Sequence, residues 1–342
     1  MNLLVRADAS IAMGTGHVMR CLALAQAWRE AGGDAAFVMA QSTPAIEALL
    51  TAESYPVNRL AHTAPGTIEG SQSTIELARD LRAKWIIVDG YQFGSEYLGA
   101  LKAAGFKVLF IDDYGHAGHY AADLVLNQNS YAQESLYESR EPYTRLLLGT
   151  KYCLLRREFA QWRDWRREIP AVGRKILLTM GGSDPKNVTG LVINALAKLR
   201  GIEVIVVVGG SNPHFDPLRT AASRAESNVD VRKDVRNMPE LMAWADVAVA
   251  GAGSTCWEMC LLKLPMVLID LADNQKPIAR SLELTGAGIY VGSAQSVEAE
   301  EIARRVEILL SSQKERECLS AACGKLVDGL GARRVVSELK QH

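Results

Sequence analysis

A histidine stands just after two glycines where an apolar run gives way to a helical pattern: SIAMGTGHVMRCLALAQAW begins at Ser10 and gathers Gly14, Gly16 and His17. Residues 2–7 (NLLVRA) read as a buried strand, and Val18, Cys21, Leu22, Leu24, Ala25 and Trp28 recur at helical spacing. His17 is therefore expected in the first turn of a helix. The positive end of the helix dipole disfavours imidazolium there and leaves a neutral ring that can take a proton, as a general base must. The same position equally suits a histidine that caps the turn or bonds a carbonyl.

Four further stretches carry chemistry-bearing side chains. In TMGGSDPKN (Thr179–Asn187), small residues follow the strand pattern KILLTM, so backbone N–H groups can cluster and receive a phosphate at Gly181, Gly182, Ser183 and Asp184. Against this, Ser183 or Asp184 can be an N-cap with Pro185 as the first helical residue, and the charge of Asp184 opposes direct anion contact. In GAGSTCWEMCLLK (Gly251–Lys263), Glu258 lies one helical turn beyond Gly253 and Ser254, where its carboxylate can accept both hydroxyls of a ribose; Thr255 and Glu258 also have the spacing of a capping box. LADNQKPIA (Leu271–Ala279) offers the amides of Asn274 and Gln275 to hydroxyls or carbonyls, with Asp273 or Asn274 as an N-cap the plainer account. IDDYGHAGHY (Ile111–Tyr120) brings Asp112, Asp113, His116 and His119 close in sequence, but a solvated turn at Gly115 and Gly118 explains it as well, and no metal site is assigned.

Other chemistries are disfavoured. Met19 occupies the third glycine position of G-x-G-x-x-G, and Asp34 precedes the second strand where a ribose-binding acid would end it, which argues against NAD. There is no G-x-x-x-x-G-K-[ST]. A net charge of −1 over 342 residues, without a Lys/Arg run, gives no footprint for nucleic acid. Six scattered cysteines without a C-x-x-C pair suit reduced thiols, four-spaced Cys256 and Cys260 read as core, and the apolar stretches are too short to insert in a membrane. A cytoplasmic enzyme acting on a small molecule is the expectation.

Positioning these residues falls to alternating strands and helices. NLLVRA, DAAFVMA, KWIIVDGY, KVLFIDD and ADLVLNQ precede KILLTMGG, EVIVVVGG, VDVRKDV, DVAVAGAG and PMVLIDLA, a rhythm expected of parallel sheets flanked by helices. Each half opens on a strand, a glycine turn and a helix. The predicted fold is α/β, with two facing Rossmann-like domains and ligands at the carboxyl ends of their strands. The expected boundaries are residues 1–162, a linker over 163–174, a second domain over 175–326, and a C-terminal helix in 327–342 that packs back on the first domain.

Taken in order, GTGHVMRCLALA, VDGY, LRREF, MGGSDPKN, GAGSTCWE, DNQ and DGLGARRV resemble the UDP-2,4-diacetamido-2,4,6-trideoxy-β-L-altropyranose hydrolase family of pseudaminic acid synthesis. That family is similar to GT-B glycosyltransferases. The resemblance implies a GT-B-like architecture, a UDP-sugar substrate, UDP as product, water as acceptor, inversion at C1, and neither metal nor other cofactor. It further implies His17 as the base, with Gly14, Gly16 and Arg20 of the same motif beside the substrate. Tyr91 of VDGY and Arg156 of LRREF join them, Gly181–Asp184 take the diphosphate, Gly253, Ser254 and Glu258 the uridine, and Asn274 and Gln275 complete the set. Gly90 stands where some members carry histidine, and Met13 flanks the first glycine. A glycosyltransferase using a UDP-sugar donor and a non-catalytic UDP-sugar-binding protein are the alternatives.

Overall fold

Apolar runs without alternation mark strands covered on both faces, and here they build two all-parallel sheets. The computed structural model describes residues 2–60 and 63–342. The chain divides into one unit of residues 1–157 with 329–342 and another of residues 158–328.

The first unit holds β1 (Asn2–Ala7), β2 (Asp34–Met39), β3 (Val57–Arg59), β4 (Ala83–Asp89), β5 (Lys107–Ile111), β6 (Leu124–Asn127) and β7 (Arg145–Leu148), in the order β3-β2-β1-β4-β5-β6-β7. Its main helices are α1 (Gly16–Glu30), α2 (Pro44–Ala52), α3 (Ile68–Asp80) and α4 (Ser95–Ala103). Successive strand residues point to opposite faces. Leu3, Val5, Trp85 and Ile87 thus pack with Trp28 of α1, while Leu4, Ile86 and Val88 pack with Tyr97 and Leu101 of α4.

The second unit repeats the scheme with β8 (Lys175–Thr179), β9 (Glu203–Val208), β10 (Asn228–Lys233), β11 (Val247–Gly251), β12 (Met266–Asp270) and β13 (Ile289–Ser293). Their order is β10-β9-β8-β11-β12-β13. Its helices are α5 (Val188–Leu196), α6 (Phe215–Ala222), α7 (Met238–Trp244), α8 (Thr255–Leu261), α9 (Lys276–Leu284), α10 (Ala299–Ser311) and α11 (Gln313–Leu326). In both sheets the strand order reverses beside the first strand, between β1 and β4 and between β8 and β11, the place where Rossmann-type sheets bind ligands.

All ten quoted runs lie on strands, and β3, β7 and β13, at sheet edges, are additional. Residues 163–174, expected as a linker, are fastened to the second unit. Arg167 donates from Nε to the Leu262 carbonyl at 3.0 Å, from Nη2 to that of Met242 at 2.6 Å, and from Nη1 to that of Ala245. Burial lowers its guanidinium to about 10 despite the opposing charge of Asp246. The last helix, α12 (Gly331–Gln341), is part of the first unit. It buries Ala332, Val335, Val336 and Leu339, and the Trp85 indole N–H donates to the Leu339 carbonyl at 3.1 Å. Gly331 is needed for this approach, because a Cβ there would lie 2.1 Å from the Cys153 carbonyl oxygen. Among the described residues, no helix is long and apolar enough to cross a membrane.

Candidate active site

In the first unit the carboxyl ends of β1, β4 and β5 converge on α1. After β1 the chain turns tightly, with the Gly14 N–H on the Ser10 carbonyl at 2.8 Å and φ of +80° at Gly14, a conformation costly for other residues. Gly16 then opens α1, and His17 follows, buried in its first turn. His17 Nδ1 lies 2.7 Å from Asp89 Oδ1 at the end of β4. A lone pair facing a carboxylate at that distance would be repelled, so Nδ1 carries the proton and donates. The acceptor site of the neutral ring is then Nε2.

Asp89 also receives Arg20, with Nε to Oδ2 at 2.6 Å and Nη2 to Oδ1 at 2.7 Å. The third guanidinium nitrogen, Nη1, donates to Asp113 Oδ1 at 2.7 Å. Every nitrogen of Arg20 thus has a carboxylate partner, and the side chain ties the acids that follow β4 and β5 to α1. Asp113 in turn accepts the Tyr91 hydroxyl at 2.7 Å and the Asn129 amide at 2.8 Å. The Tyr91 ring meets the His17 ring edge-on, with centroids 4.7 Å apart.

Burial would push the Asp89 carboxyl up, but the Arg20 charge and the hydrogen bonds from Arg20 and His17 hold it well below the usual carboxylate range. Asp113 is lowered in the same way: burial opposes ionisation, and Arg20 overcomes it. Two carboxylates against one guanidinium leave this buried group with one excess negative charge when His17 is neutral.

The sequence alone does not single out Asp89 as part of the candidate site. Its available signal is position: an acid that ends a buried apolar strand beside the point of strand reversal. Gly90, the departure from the family pattern, is matched by Gln92, whose amide fills the space a side chain at residue 90 would need and donates to Asp8 Oδ2 at 2.9 Å. Asp112, Asp113, His116 and His119 are not gathered into one ligand set. His119 turns to Ser139 and Glu141, while Asp113 serves Arg20, Tyr91 and Asn129. Arg156 lies half-buried between Leu155 and Arg157, whose N–H donates to Gln26 Oε1 at 2.9 Å.

In the second unit the turns after β8, β9, β11 and β12 meet. A Cβ on Gly209 would come within 2.3 Å of the Gly182 carbonyl, and one on Gly251 within 2.9 Å of the Leu271 side chain. Gln275 lies beside Gly253, its Oε1 accepting the Leu271 N–H at 3.0 Å. Gly181, Gly182, Ser183, Gly253, Ser254 and Gln275 therefore share one end of the sheet. Asn274 follows β12 in the short turn Asp273–Gln275, and Glu258 is half-buried one turn into α8.

Three local expectations change. α5 begins at Val188, beyond Pro185, and Asp184 caps it from a distance: Oδ1 accepts the Val188 N–H at 2.9 Å, and Oδ2 accepts the N–H and hydroxyl of Thr189 at 2.8 and 2.6 Å. The carboxylate thus already occupies the helix end that a phosphate would use. Ser254, not Thr255, stands at the N-cap of α8 and makes no side-chain cap bond, which puts the Thr255–Glu258 spacing one residue out of capping-box register. Gln275 precedes α9, where Asp273 or Asn274 was expected.

Two Rossmann-like units with polar groups at the carboxyl ends of their strands define an α/β protein of the GT-B fold. The same fold is seen in MurG of Acinetobacter baumannii, with a TM-score of 0.67 at 16% identity over 100% of this chain and 99% of that one. Anabaena HepE in complex with UDP and glucose is also similar, with a TM-score of 0.63 at 15% identity over 100% of both chains. Residues 176–326 match the glycosyltransferase family 28 C-terminal domain. More particularly, the chain is a relative of the UDP-2,4-diacetamido-2,4,6-trideoxy-β-L-altropyranose hydrolase of Campylobacter jejuni, with 29% identity over 288 residues, 84% of this chain and 97% of that protein.

Proposed function

We propose that the chain hydrolyses a UDP-linked 2,4-diacetamido-2,4,6-trideoxyhexose of the altropyranose type, with inversion and without a metal. UDP and the free sugar are the products, the latter available for pseudaminic acid synthesis. The observation that carries this reading is the His17–Asp89 pair, which fixes Nδ1–H as a donor and keeps Nε2 for a proton. Water attacks the anomeric carbon as Nε2 takes its proton, and the C1–O bond to the diphosphate breaks. The excess negative charge of the Asp89–Arg20–Asp113 group complements the imidazolium that forms. Tyr91 and Arg156 are assigned to the sugar end together with the Gly14–Gly16 turn, and Arg20 acts through Asp89.

In the second unit, the Gly181–Ser183 turn is assigned to the diphosphate, with Asp184 bracing it, and Glu258 to the ribose. Gly253, Ser254, Asn274 and Gln275 complete the nucleotide end. The relationship to a UDP-sugar hydrolase supports water as the acceptor. The family 28 match favours a second reading, transfer of the sugar to a hydroxyl acceptor.

Incubation of the UDP-sugar alone in ¹⁸O-water separates the two. Hydrolysis yields UDP and sugar in equal amounts, with the label in the sugar. Turnover only after an acceptor is added makes the chain a transferase, and label in UDP moves the attack to phosphorus. His17→Ala is expected to keep UDP binding and lose most turnover; activity within a few-fold of the unmodified protein would remove the base assignment.

A further inference from the structure

His116 belongs to a motif of which the proposed reaction uses only Asp113, yet its ring is held at both nitrogens. Nδ1 is 3.2 Å from Asp112 Oδ1 and Nε2 is 3.2 Å from the Phe93 carbonyl oxygen. A neutral imidazole has one N–H and can satisfy one of these acceptors; only imidazolium donates to both. The ring thereby clamps the turn after β5 to the turn after β4.

The groups around it favour the cation. From the turn after β5 come Asp112, which also accepts the N–H groups of Tyr114 and Gly115 and the Tyr120 hydroxyl, and Asp113, which is paired with Arg20. The Tyr114 ring lies 5.3 Å away, centroid to centroid, and Phe110 of β5 lies 5.6 Å away. From the turn after β4 come the Phe93 carbonyl and Tyr91, whose ring stands edge-on at 5.7 Å. Burial lowers the tendency of His116 to hold a proton, but the hydrogen bond and charge of Asp112 outweigh it, with Phe93 and Asp113 adding, so that its pKa is raised above the ordinary imidazole value.

Tyr91 is thus flanked by two imidazoles, His116 on one contact and His17 on the other. We propose that His116, as imidazolium, is the positioning residue that keeps Tyr91 against His17, and that loss of its proton sets the alkaline limit of turnover. This rests on the reading of the site given above. Once neutral, the ring leaves either Asp112 or the Phe93 carbonyl facing a lone pair. The two turns then come unclamped, and Tyr91, which starts in one and bonds Asp113 of the other, loses its fixed place.

The test is a pH titration of the full chain carrying ¹³C-labelled histidine and tyrosine, with His116 assigned through His116→Gln or His116→Asn and Tyr91 through Tyr91→Phe. The His116 resonance is expected to titrate above the ordinary imidazole range, with the Tyr91 ring shifting at the same midpoint. In steady-state kinetics, kcat/KM of the unmodified protein is expected to fall through that midpoint towards the level of His116→Gln. His116→Gln should remain flat through it, at a constant lower value. A His116 midpoint at or below the ordinary imidazole value, a Tyr91 ring indifferent to it, or an alkaline fall that persists in His116→Gln would each overturn the proposal. The resonances require no turnover, so a protein that fails to hydrolyse the UDP-sugar counts against the function proposed above, while the clamp is still judged by the two sets of resonances.

Discussion

Replacing Asp89 by Asn tests the centre of the site with almost no change of shape. The carboxylate accepts three strong bonds: His17 and Arg20 Nη2 at Oδ1, and Arg20 Nε at Oδ2. Asparagine has one acceptor oxygen, and each orientation fails differently. With oxygen in place of Oδ1, the amide N–H₂ confronts Arg20 Nε–H. With oxygen in place of Oδ2, the amide donates to His17 Nδ1, the proton moves to Nε2, and the base is lost. One or two charge-assisted bonds at about 1.5–3 kcal/mol each disappear while Arg20 keeps Asp113, so the stability loss should be about 1.5–6 kcal/mol. Most of the usual range of about 5–15 kcal/mol for a domain withstands that. Turnover should fall by about 10²–10⁴, the range for losing a general base held in its working tautomer. Urea unfolding and a UDP-release assay read the two effects separately. Because the folded carboxyl lies below its unfolded value of about 3.9, its contribution is complete above that pH and is lost as pH falls through the folded value. Asp89→Asn should therefore show a shallower acid loss of stability. A variant that keeps kcat within about threefold would refute the pairing argument.

Asp184→Ala removes the acceptor of two α5 amides and the Thr189 hydroxyl, and should cost about 1–2 kcal/mol in urea unfolding, as loss of a good helix cap does. Gly331→Ala forces a Cβ onto the Cys153 carbonyl and should displace α12; native-state amide exchange is expected to speed up around α12 and α1 while α5 and α8 keep their protection.

The central strands were readable because burial on both faces makes their sequences continuously apolar, as in KWIIVD and EVIVVV. Two of the edge strands lack that mark. β3 is the three-residue VNR, and every residue of β13 is only half-buried, so neither stands out from a loop. His17 was legible from its glycine turn and helix start. Asp89 was not, because its meaning comes from Arg20 and His17, 69 and 72 residues away, brought together only when β1 and β4 pair. The α5 start is hidden in the sequence because Pro185 and Asp184 have the composition of an adjacent cap, whereas Asp184 takes φ of +41° and reaches forward to Val188 and Thr189.

The unit that bears His17 is completed by chain made after all of residues 158–328, since α12 covers α1 and meets the β4 indole. During synthesis the later, uninterrupted unit has its whole sequence outside the ribosome before the earlier one can close, which reverses the usual N-to-C order of domain maturation. A chain truncated at residue 328 would hold a finished second sheet and a first sheet with the α12 side of its apolar face still wet, a surface for chaperones to meet.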